Sequence, residues 1–474
     1  MKDRAPSLAA GDIARATGGE LLSGAPEACC GGVSIDSRDM DRGNLFVAIR
    51  GENFDGHDFV GTAVQGGAAG VVIEKRAFQE TEGIAGDIPV IAVDDTVQAL
   101  GDMAAFWRKK FDVPVVAVTG SSGKTTTKEM AASILSLSRN ILKNRGNFNN
   151  LIGLPLTLLQ IHDRHEVIIV EMGTNRRGEI ERLTEIAAPD IGIVTNVGPA
   201  HLEGLQSVDL VAREKGDLFR CMKQGGTAII NSDDPAVCAM QGRWQGKSVT
   251  YGMAGDSLVR AGDITIEAAG GTGFGLVLAG KNERVRIALP GRHNVSNALA
   301  AAACSWALGI AYDQICRGLE AFRQLQGRMS LRPLKNGVVL IDDSYNANPA
   351  STREAIETVH ALKGDRAAMV VMGDMLELGA DAAAWHEEMG RLMARRGVDR
   401  IFLTGDLVRS VLKGAEAEGM PRDRIIYPIT PGGVVDRLTG SVRQGDSILV
   451  KGSRGMRMEA YVQAIVDAFG EDVS

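Results

Sequence analysis

Residues 118–127 read Val-Thr-Gly-Ser-Ser-Gly-Lys-Thr-Thr-Thr, and this stretch decides the fold of the middle of the chain. It follows the apolar run Val113–Ala117, which predicts a buried strand, and precedes Lys128–Ser136, which predicts a helix. Glycines in such a strand–loop–helix unit let backbone N–H groups point at phosphate oxygens, and the helix N-terminus adds partial positive charge. The sequence therefore predicts a phosphate-binding loop that holds ATP.

This loop matches only part of the usual Gly-x-x-x-x-Gly-Lys-Thr pattern. The first glycine of that pattern would stand at position 118, where this chain has Val118. An ordinary glycine turn is the alternative, but the flanking strand and helix favour the phosphate site. Lys124 is expected to bind the β- and γ-phosphates, and Thr125 a Mg²⁺ ion. The predicted ATP-binding residues of the loop are Gly120, Ser121, Ser122, Gly123, Lys124, Thr125 and Thr126.

The composition of the chain excludes several classes of function. A formal net charge of -7 and 4% aromatic residues provide neither a basic surface nor a stacking platform for nucleic acid. No apolar run approaches the ~20 residues that a membrane span needs, and Met1–Arg4 leads into no signal-peptide core. The six cysteines form no C-x-x-C pair, which favours reduced thiols. We therefore expect a cytoplasmic protein with small-molecule ligands, no nucleic-acid partner and no membrane insertion.

The length and the strand–helix pattern predict an α/β protein of about three domains. A smaller N-terminal α/β domain is expected at residues 1–111. The phosphate loop belongs to a central domain at 112–328 with a doubly wound, mostly parallel sheet, to which hairpins at Ile264–Leu289 are added. A Rossmann-like α/β domain is expected at 329–474.

Apolar runs bounded by glycine, proline and polar clusters give the expected elements. Strands are predicted at Gly32–Ile35, Leu45–Ile49, Gly70–Ile73, Val90–Val93, Val167–Val170, Ile191–Thr195, Thr227–Ile230, Ser248–Tyr251, Val338–Ile341, Ala367–Met372, Arg400–Leu403, Arg424–Tyr427 and Ser447–Val450. Helices are predicted at Val97–Lys110, Val208–Met222, Asn294–Ala307, Ala382–Arg396, Leu407–Ala417 and Met458–Phe469.

Four clusters of polar residues accompany the loop. Glu171 ends one predicted strand and His201 follows another, and ligands of a doubly wound sheet bind at this edge. The third cluster is Lys215, on the predicted helix Val208–Met222. The alternatives are a structural histidine for His201 and a solvated helix charge for Lys215. Asn294 and Asn297 lie at i and i+3 on one helix face, where they can read a purine together; alternatively, Asn294 caps that helix.

Several of these motifs resemble the Mur ligases, the ATP-dependent amide-forming enzymes of peptidoglycan precursor synthesis. The resemblance covers essentially the whole chain and is most specific in the phosphate loop, in residues 196–204 (Asn-Val-Gly-Pro-Ala-His-Leu-Glu-Gly) and in 291–298 (Gly-Arg-His-Asn-Val-Ser-Asn-Ala). The chain lacks the Asp-Asn-Pro-Arg motif of the member that adds the third amino acid. Similarity to the member that adds D-alanyl-D-alanine lies in 36–38, 54–57, 147–155 and 342–349.

The resemblance implies an acyl-phosphate reaction that joins D-alanyl-D-alanine to UDP-MurNAc-tripeptide, with two Mg²⁺ ions and a monomeric enzyme. It implies catalytic roles for Lys124, Lys215 and His201, and a carbamylated side chain at Lys215. Metal ligands would be Thr125, Glu171, His201 and Lys215. Asn294 and Asn297 would contact adenine, and Arg328 and Asp343 the phosphate and ribose. The implied substrate-binding residues are Ser37, Arg38, Asn149, Asn150, Tyr345 and Asn346.

Two other functions remain open at this stage. Another amide ligase, such as a different Mur ligase or a folylpolyglutamate synthase, shares the phosphate loop, although the latter is not expected to carry the N-terminal domain. A nucleotide-binding switch would hydrolyse ATP without an amine acceptor and would not need Glu171, His201 and Lys215 together.

Overall fold

The computed structural model describes residues 7–51, 53–78, 88–242, 244–267 and 270–472. Within them the chain forms three main sheets, each built from one continuous part of the sequence, and helices that cover them. The α/β fold with three domains is therefore confirmed. The limits of the domains stay a prediction, and Met1–Arg4 lies outside the described residues.

The N-terminal domain is a five-stranded sheet with short strands. Its order is β2-β7-β6-β5-β4, parallel except for β2, and β1 and β3 form a separate two-stranded ribbon. The elements are β1 (Leu8–Ala9), α1 (Ala10–Thr17), β2 (Glu20–Ser23), β3 (Cys29–Cys30), β4 (Val33–Ser34), β5 (Leu45–Val47), α2 (Val60–Gln65), β6 (Gly70–Glu74), β7 (Val90–Val93) and α3 (Thr96–Arg108).

The central domain is built on nine strands. Its elements are β8 (Val115–Thr119), α4 (Lys124–Leu135), β9 (Ile141–Lys143), α5 (Gly153–Leu158), β10 (Val167–Glu171), α6 (Glu179–Ala187), β11 (Ile191–Val194), α7 (Leu202–Leu205), α8 (Val208–Cys221), β12 (Thr227–Asn231), α9 (Pro235–Gln241), β13 (Lys247–Gly252), β14 (Val259–Ile266), β15 (Thr272–Leu278), β16 (Lys281–Ile287), α10 (Arg292–Ala307) and α11 (Tyr312–Glu320).

The strand order of this sheet places the phosphate loop at its centre. The order is β16-β15-β14-β13-β12-β11-β8-β10-β9, parallel from β14 to β9, and β14, β15 and β16 form the expected antiparallel hairpins. Strand β8 lies between β10 and β11, so Glu171 and the segment after β11 flank the loop. Ligands of doubly wound sheets bind where the strand order reverses in this way.

The C-terminal domain has a six-stranded sheet of order β17-β18-β22-β19-β20-β21, in which only the β17–β18 pair is antiparallel. Its elements are β17 (Ser330–Pro333), β18 (Val339–Asp343), α12 (Pro349–Lys363), β19 (Ala368–Gly373), α13 (Ala382–Arg395), β20 (Arg400–Thr404), α14 (Arg409–Ala417), β21 (Ile425–Ile426), α15 (Pro431–Leu438), β22 (Ser447–Lys451) and α16 (Glu459–Phe469).

Most predicted elements are confirmed to within one or two residues, and the differences have local causes. Helix α4 begins at Lys124, so the expected start at Lys128 is wrong: the Lys-Thr-Thr-Thr end of the loop is already the first helical turn. Several elements were not predicted from the sequence, among them α1, α6, α11, α12, α15 and the short strand β9. In α12, Asn348 caps the helix and Pro349 occupies its first turn, which is a recognisable start signal.

None of the helices in the described part of the chain is both long and apolar enough to cross a lipid bilayer.

A buried arginine joins the N-terminal and central domains. Arg108, at the end of α3, is 3% exposed and donates to the carbonyl oxygens of Ala187 (3.2 Å), Phe111 (2.7 Å) and Val113 (2.9 Å). Asp190 lies 3.6 Å from its guanidinium. Burial lowers the pKa of Arg108, and the nearby Asp190 opposes that effect. Helix α3 is thereby fixed against α6 and the first strand of the central sheet.

Replacing Arg108 tests this junction. Arg108→Ala leaves three carbonyl oxygens without their donor, and we expect it to lower the free energy of unfolding by about 3 kcal/mol. The measurement is urea denaturation followed by circular dichroism. Arg139→Ala is the control, since Arg139 forms only an exposed pair with Glu166 and should change stability by less than about 0.5 kcal/mol. Equal effects of the two variants would contradict the structural role of Arg108.

Candidate active site

The phosphate loop connects β8 to α4 in a conformation that needs glycine. Gly120 and Gly123 have φ values of +148° and +78°, in the region that side chains disfavour. A Cβ atom on Gly123 would lie 2.3 Å from Oδ1 of Asn297. Helix α10 therefore packs directly against the loop and leaves no room for a side chain there.

Asn294 and Asn297 lie inside the protein at the start of α10, at 2% and 7% exposure. Asn297 donates to Oδ1 of Asn294 (3.2 Å), and its own Oδ1 accepts from Thr127 (3.3 Å). Asn294 donates to the carbonyl oxygen of Pro290 (2.8 Å). The N-cap of α10 is Gly291, so the alternative that Asn294 caps this helix is wrong. Contact of the two asparagines with adenine stays a prediction.

The Lys124 side chain contacts the backbone of the phosphate loop. Its Nζ donates to the carbonyl oxygen of Gly120 at 2.9 Å. Burial lowers the pKa of Lys124; the Glu171 carboxylate opposes this effect and the Arg328 guanidinium adds to it. The charged groups of Lys124, Glu171 and Arg328 are thus close enough to interact. For Lys124 and Glu171 this was expected, since the sequence predicts both at the same edge of the sheet.

Glu171 connects the loop to the strand beside it. Its Oε2 accepts from the Thr125 hydroxyl (2.7 Å) and its Oε1 from Asn149 Nδ2 (2.8 Å). Asn144 holds the backbone of Glu171 by accepting from its N–H (2.9 Å) and donating to its carbonyl oxygen (3.0 Å). A carboxylate and a hydroxyl at this distance suit Mg²⁺, which takes few protein ligands and completes its shell with water and phosphate oxygens.

No group of three or more His, Cys, Asp or Glu side chains able to hold a metal ion occurs in the ranges that the structure describes. A site for Mg²⁺ here therefore depends on oxygen atoms from the nucleotide as well as on Thr125 and Glu171. Metal binding by Thr125, Glu171, His201 and Lys215 stays a prediction.

Lys215 is a buried lysine on α8 with 1% exposure. Its pKa is well below the usual value, first because of burial and then because of Lys124, against the opposing effect of Glu214. The Glu214 carboxylate forms its hydrogen bonds with other groups, since it accepts from the N–H groups of Gly178 and Ile180, both at 2.8 Å. Among the described residues, no hydrogen bond or ion pair reaches Lys215 Nζ. The solvated helix charge that the sequence left as an alternative is therefore wrong.

His201 makes its contact with the C-terminal domain. Its Nδ1 lies 2.7 Å from Oε2 of Glu377, and this interaction lowers the pKa of Glu377. Glu377 was not predicted, because it lies 176 positions from His201 along the chain. Metal binding by His201 stays a prediction.

The C-terminal domain contributes several polar residues to the same region. The guanidinium of Arg328 lies 4.0 Å from the ring centre of Tyr345. Asp343 pairs with the buried Lys451 and accepts from the N–H of Met329 (3.1 Å). Lys451 also donates to the carbonyl oxygen of Asn346 (3.1 Å). Lys451 was not predicted, although it ends a buried strand just as Glu171 does.

Asn149 and Asn150, two of the predicted substrate-binding residues, belong to the segment 147–155. Asn149 contacts Glu171, whereas Oδ1 of Asn150 accepts from Ile152 (3.2 Å) and Gly153 (2.9 Å) at the start of α5. Asn348, which was not predicted, donates to the carbonyl oxygen of Ser121 at 3.1 Å. The C-terminal domain therefore contacts the phosphate loop itself.

Ser37 and Arg38 lie in the N-terminal domain. Arg38 is exposed and pairs with Asp36 through two hydrogen bonds of 2.9 and 2.8 Å, which lower the pKa of Asp36 to about 2. In the described ranges, no hydrogen bond or ion pair connects Ser37 or Arg38 to the phosphate loop. Their role in substrate binding stays a prediction, on a different domain from the loop.

Three consecutive parts of the chain match models of protein families. Residues 30–108 match the model "Mur ligase family, catalytic domain", 118–305 the "Mur ligase middle domain" and 327–454 the "Mur ligase, glutamate ligase domain". A relative from Escherichia coli (strain K12), the UDP-N-acetylmuramoyl-tripeptide--D-alanyl-D-alanine ligase, is 36% identical over 441 residues, 91% of this chain and 93% of that protein.

Solved structures have the same arrangement of domains. A crystal structure of MurF from Acinetobacter baumannii aligns with a TM-score of 0.88 and 31% identity, over 98% of this chain and 100% of the other. MurF ligase from Thermotoga maritima in complex with ADP aligns with a TM-score of 0.83 and 28% identity, over 92% and 97% of the two chains.

Gly123 offers a test of the loop. Gly123→Ala places a Cβ against Asn297, and we expect about a tenfold or larger loss of ADP affinity, measured by titration calorimetry. Gly225→Ala is the matched control, because Gly225 also has a positive φ (+81°) but has open space around its Cβ position. Both variants carry the same backbone strain of about 1–2 kcal/mol. An unchanged affinity in Gly123→Ala would contradict the close packing of α10 on the loop.

Proposed function

This chain belongs to the Mur ligase family, and from this membership we propose that it joins D-alanyl-D-alanine to UDP-MurNAc-tripeptide while ATP becomes ADP and phosphate. The product is UDP-MurNAc-pentapeptide, a peptidoglycan precursor. The observation that carries the proposal is the central site: a phosphate loop with Thr125 bonded to Glu171, in a chain similar over nearly its whole length to ligases of that name.

The chemistry explains why the site is rich in cations. A carboxylate does not react with an amine at neutral pH, because its oxygen is a poor leaving group. Transfer of the γ-phosphoryl group makes an acyl phosphate, and attack by the amine of the dipeptide then expels phosphate. Lys124 and Arg328 face this negative charge, and the loop orients the phosphates. Catalysis rests on positioning and electrostatic stabilisation.

Two magnesium ions fit the donor atoms of this edge. Thr125 and Glu171 would hold one ion, and His201 with a carbamylated Lys215 the other. When bound, they neutralise phosphate charge and polarise the transferred group.

Carbamylation of Lys215 is supported by its surroundings. Only a neutral amine reacts with carbon dioxide, and the lowered pKa of Lys215 increases the fraction of that form. The reaction forms a bond between the amine nitrogen and carbon dioxide and releases a proton, so that the amine becomes an anion that Lys124 attracts. The site thereby avoids a buried, unpaired cation beside Lys124, which would be costly.

The remaining roles follow from the domains. The N-terminal domain, with Ser37 and Arg38, would bind the uridine nucleotide; Asn294 and Asn297 would face adenine, and Asp343 the ribose. Tyr345 and Asn346 would lie beside the dipeptide. We further propose a cytoplasmic monomer, and the free thiols of all six cysteines agree with a reducing compartment.

A substrate panel tests the proposed reaction. Purified protein should release ADP and form the pentapeptide product, identified by mass spectrometry, only when both the UDP-tripeptide and D-Ala-D-Ala are present. Tripeptides with diaminopimelate or lysine in the third position define the donor. Equal ADP release with a single amino acid in place of the dipeptide would contradict the assignment.

Lys215 provides a second test. We expect Lys215→Ala to lower kcat by about 100-fold or more, with partial rescue by a short carboxylic acid that restores the missing oxygen anion. Carbamate content, measured by ¹³C NMR after exposure to ¹³CO₂, should rise with pH, because the neutral amine fraction increases as pH rises through the lowered pKa.

Lys223→Ala is the control for this test, since Lys223 is exposed and pairs with Asp190. It should leave both the kcat and the carbamate signal unchanged. Wild-type activity in Lys215→Ala, or a carbamate signal that survives in it, would contradict the role of Lys215.

A further inference from the structure

We propose that Glu377 is a positioning residue that fixes the His201 ring when the C-terminal domain closes on the central domain. This inference rests on the proposed function, because it concerns how the site of that reaction is completed. Glu377 makes two contacts across the domain interface. Its carboxylate pairs with His201 Nδ1 at 2.7 Å, and its carbonyl oxygen accepts from the N–H of Glu203 at 3.1 Å.

Both partners of this contact have unusual backbone conformations. Glu377 has a φ of +63° and His201 a φ of +55°, and neither is a glycine. Side chains disfavour this region, so such residues persist where the surrounding structure determines them, and they concentrate at functional sites. Here the two strained residues face each other across a domain boundary.

Glu377 is held firmly within its own domain. The preceding residues are fixed by hydrogen bonds from Met375 N to His386 Nε2 (2.9 Å) and from Leu376 N to Ser453 Oγ (2.8 Å). The Ser453 hydroxyl also donates to the carbonyl oxygen of Ala347 (3.2 Å), next to Asn348. The two loops that contact the central domain, at Glu377 and at Asn348, are thus bonded to the same serine and move together.

On the central domain, the segment that leads to His201 is bonded to the phosphate loop. The Ser121 hydroxyl donates to the carbonyl oxygen of Gly198 (3.0 Å) and accepts from its N–H (2.9 Å). Ser122 N donates to Asn196 Oδ1 (2.9 Å). A displacement of His201 is therefore transmitted to the loop within a few bonds.

The contact determines which nitrogen of His201 is available. An ionised carboxylate accepts but cannot donate, so Nδ1 carries the hydrogen, and in the neutral imidazole the lone pair is then on Nε2. No hydrogen bond to Nε2 occurs within the described ranges. Histidines that bind ligands through one nitrogen commonly have the other fixed by a carboxylate. Because that carboxylate belongs to another domain, the ring is fixed only in the closed enzyme.

Small-angle X-ray scattering of the full-length protein tests the coupling. With ADP and Mg²⁺ we expect the wild type to be compact, and Glu377→Ala to keep a larger radius of gyration at the same nucleotide occupancy. Glu377→Gln retains an acceptor oxygen and should be intermediate. Glu416→Ala is the control, because Glu416 pairs with Arg422 away from the interface and should behave as the wild type.

Kinetics separate positioning from simple folding. Glu377→Ala should lower kcat by about 10–100-fold and raise the Mg²⁺ concentration needed for half-maximal rate, with the KM of the UDP substrate and the melting temperature unchanged. His201→Asn should have effects that do not add to those of Glu377→Ala in the double variant.

Compaction of Glu377→Ala equal to that of the wild type, or additive effects of the two substitutions, would overturn the proposal. The scattering experiment uses ADP and needs no amide product. If the wild type forms no pentapeptide but loses compaction on Glu377→Ala, the proposed reaction is wrong and the role of Glu377 in closure stands.

Discussion

Unbalanced positive charge at the carboxyl edge of the central sheet is the constraint on which this structure depends. Lys124 is close enough to both Lys215 and Arg328 to interact with them, and the Glu171 carboxylate faces Lys124, whereas Glu214 is used on backbone N–H groups. Buried charges of one sign are costly unless a partner arrives. The edge is therefore suited to a polyanion, and a nucleoside triphosphate, or after phosphoryl transfer the diphosphate with an acyl phosphate beside it, satisfies that requirement.

The same edge is shared between two domains. Asn348 donates to the backbone of the phosphate loop, and Glu377 pairs with His201 beyond the next strand. The N-terminal domain is fixed differently, through Arg108 and the helix that carries it. One junction is thus a buried network typical of a permanent contact. The other includes the polar contacts of Asn348 and Glu377, and polar interfaces between domains generally allow relative motion.

Much of the fold was predictable because its strands are buried. Runs such as Val167–Val170 and Ile448–Val450 are apolar throughout, since helices cover both faces of a parallel sheet. The short strand β9 was missed because three residues contain too little pattern, and Lys124 was placed outside the helix because polar residues fill its first turn. The loop and Glu171 were identified from residue type and position, and the Thr125 hydroxyl of the loop bonds to Glu171. Lys215 received its role from the family resemblance, and it lies close enough to Lys124 for the two charges to interact.

The sequence by itself determined the α/β class, the phosphate loop and the family, because each depends on neighbouring residues whose spacing is visible along the chain. Only the tertiary structure decided that Asn297 closes on Gly123, that Lys451 pairs with Asp343 and that Glu377 meets His201. These partners lie more than a hundred positions apart, and no periodicity connects them. Asp343 and Lys451 meet because β18 and β22 are neighbours in one sheet, and Asn297 meets Gly123 because α10 packs on the loop of its own domain. Only the contact of Glu377 with His201 depends on packing between domains.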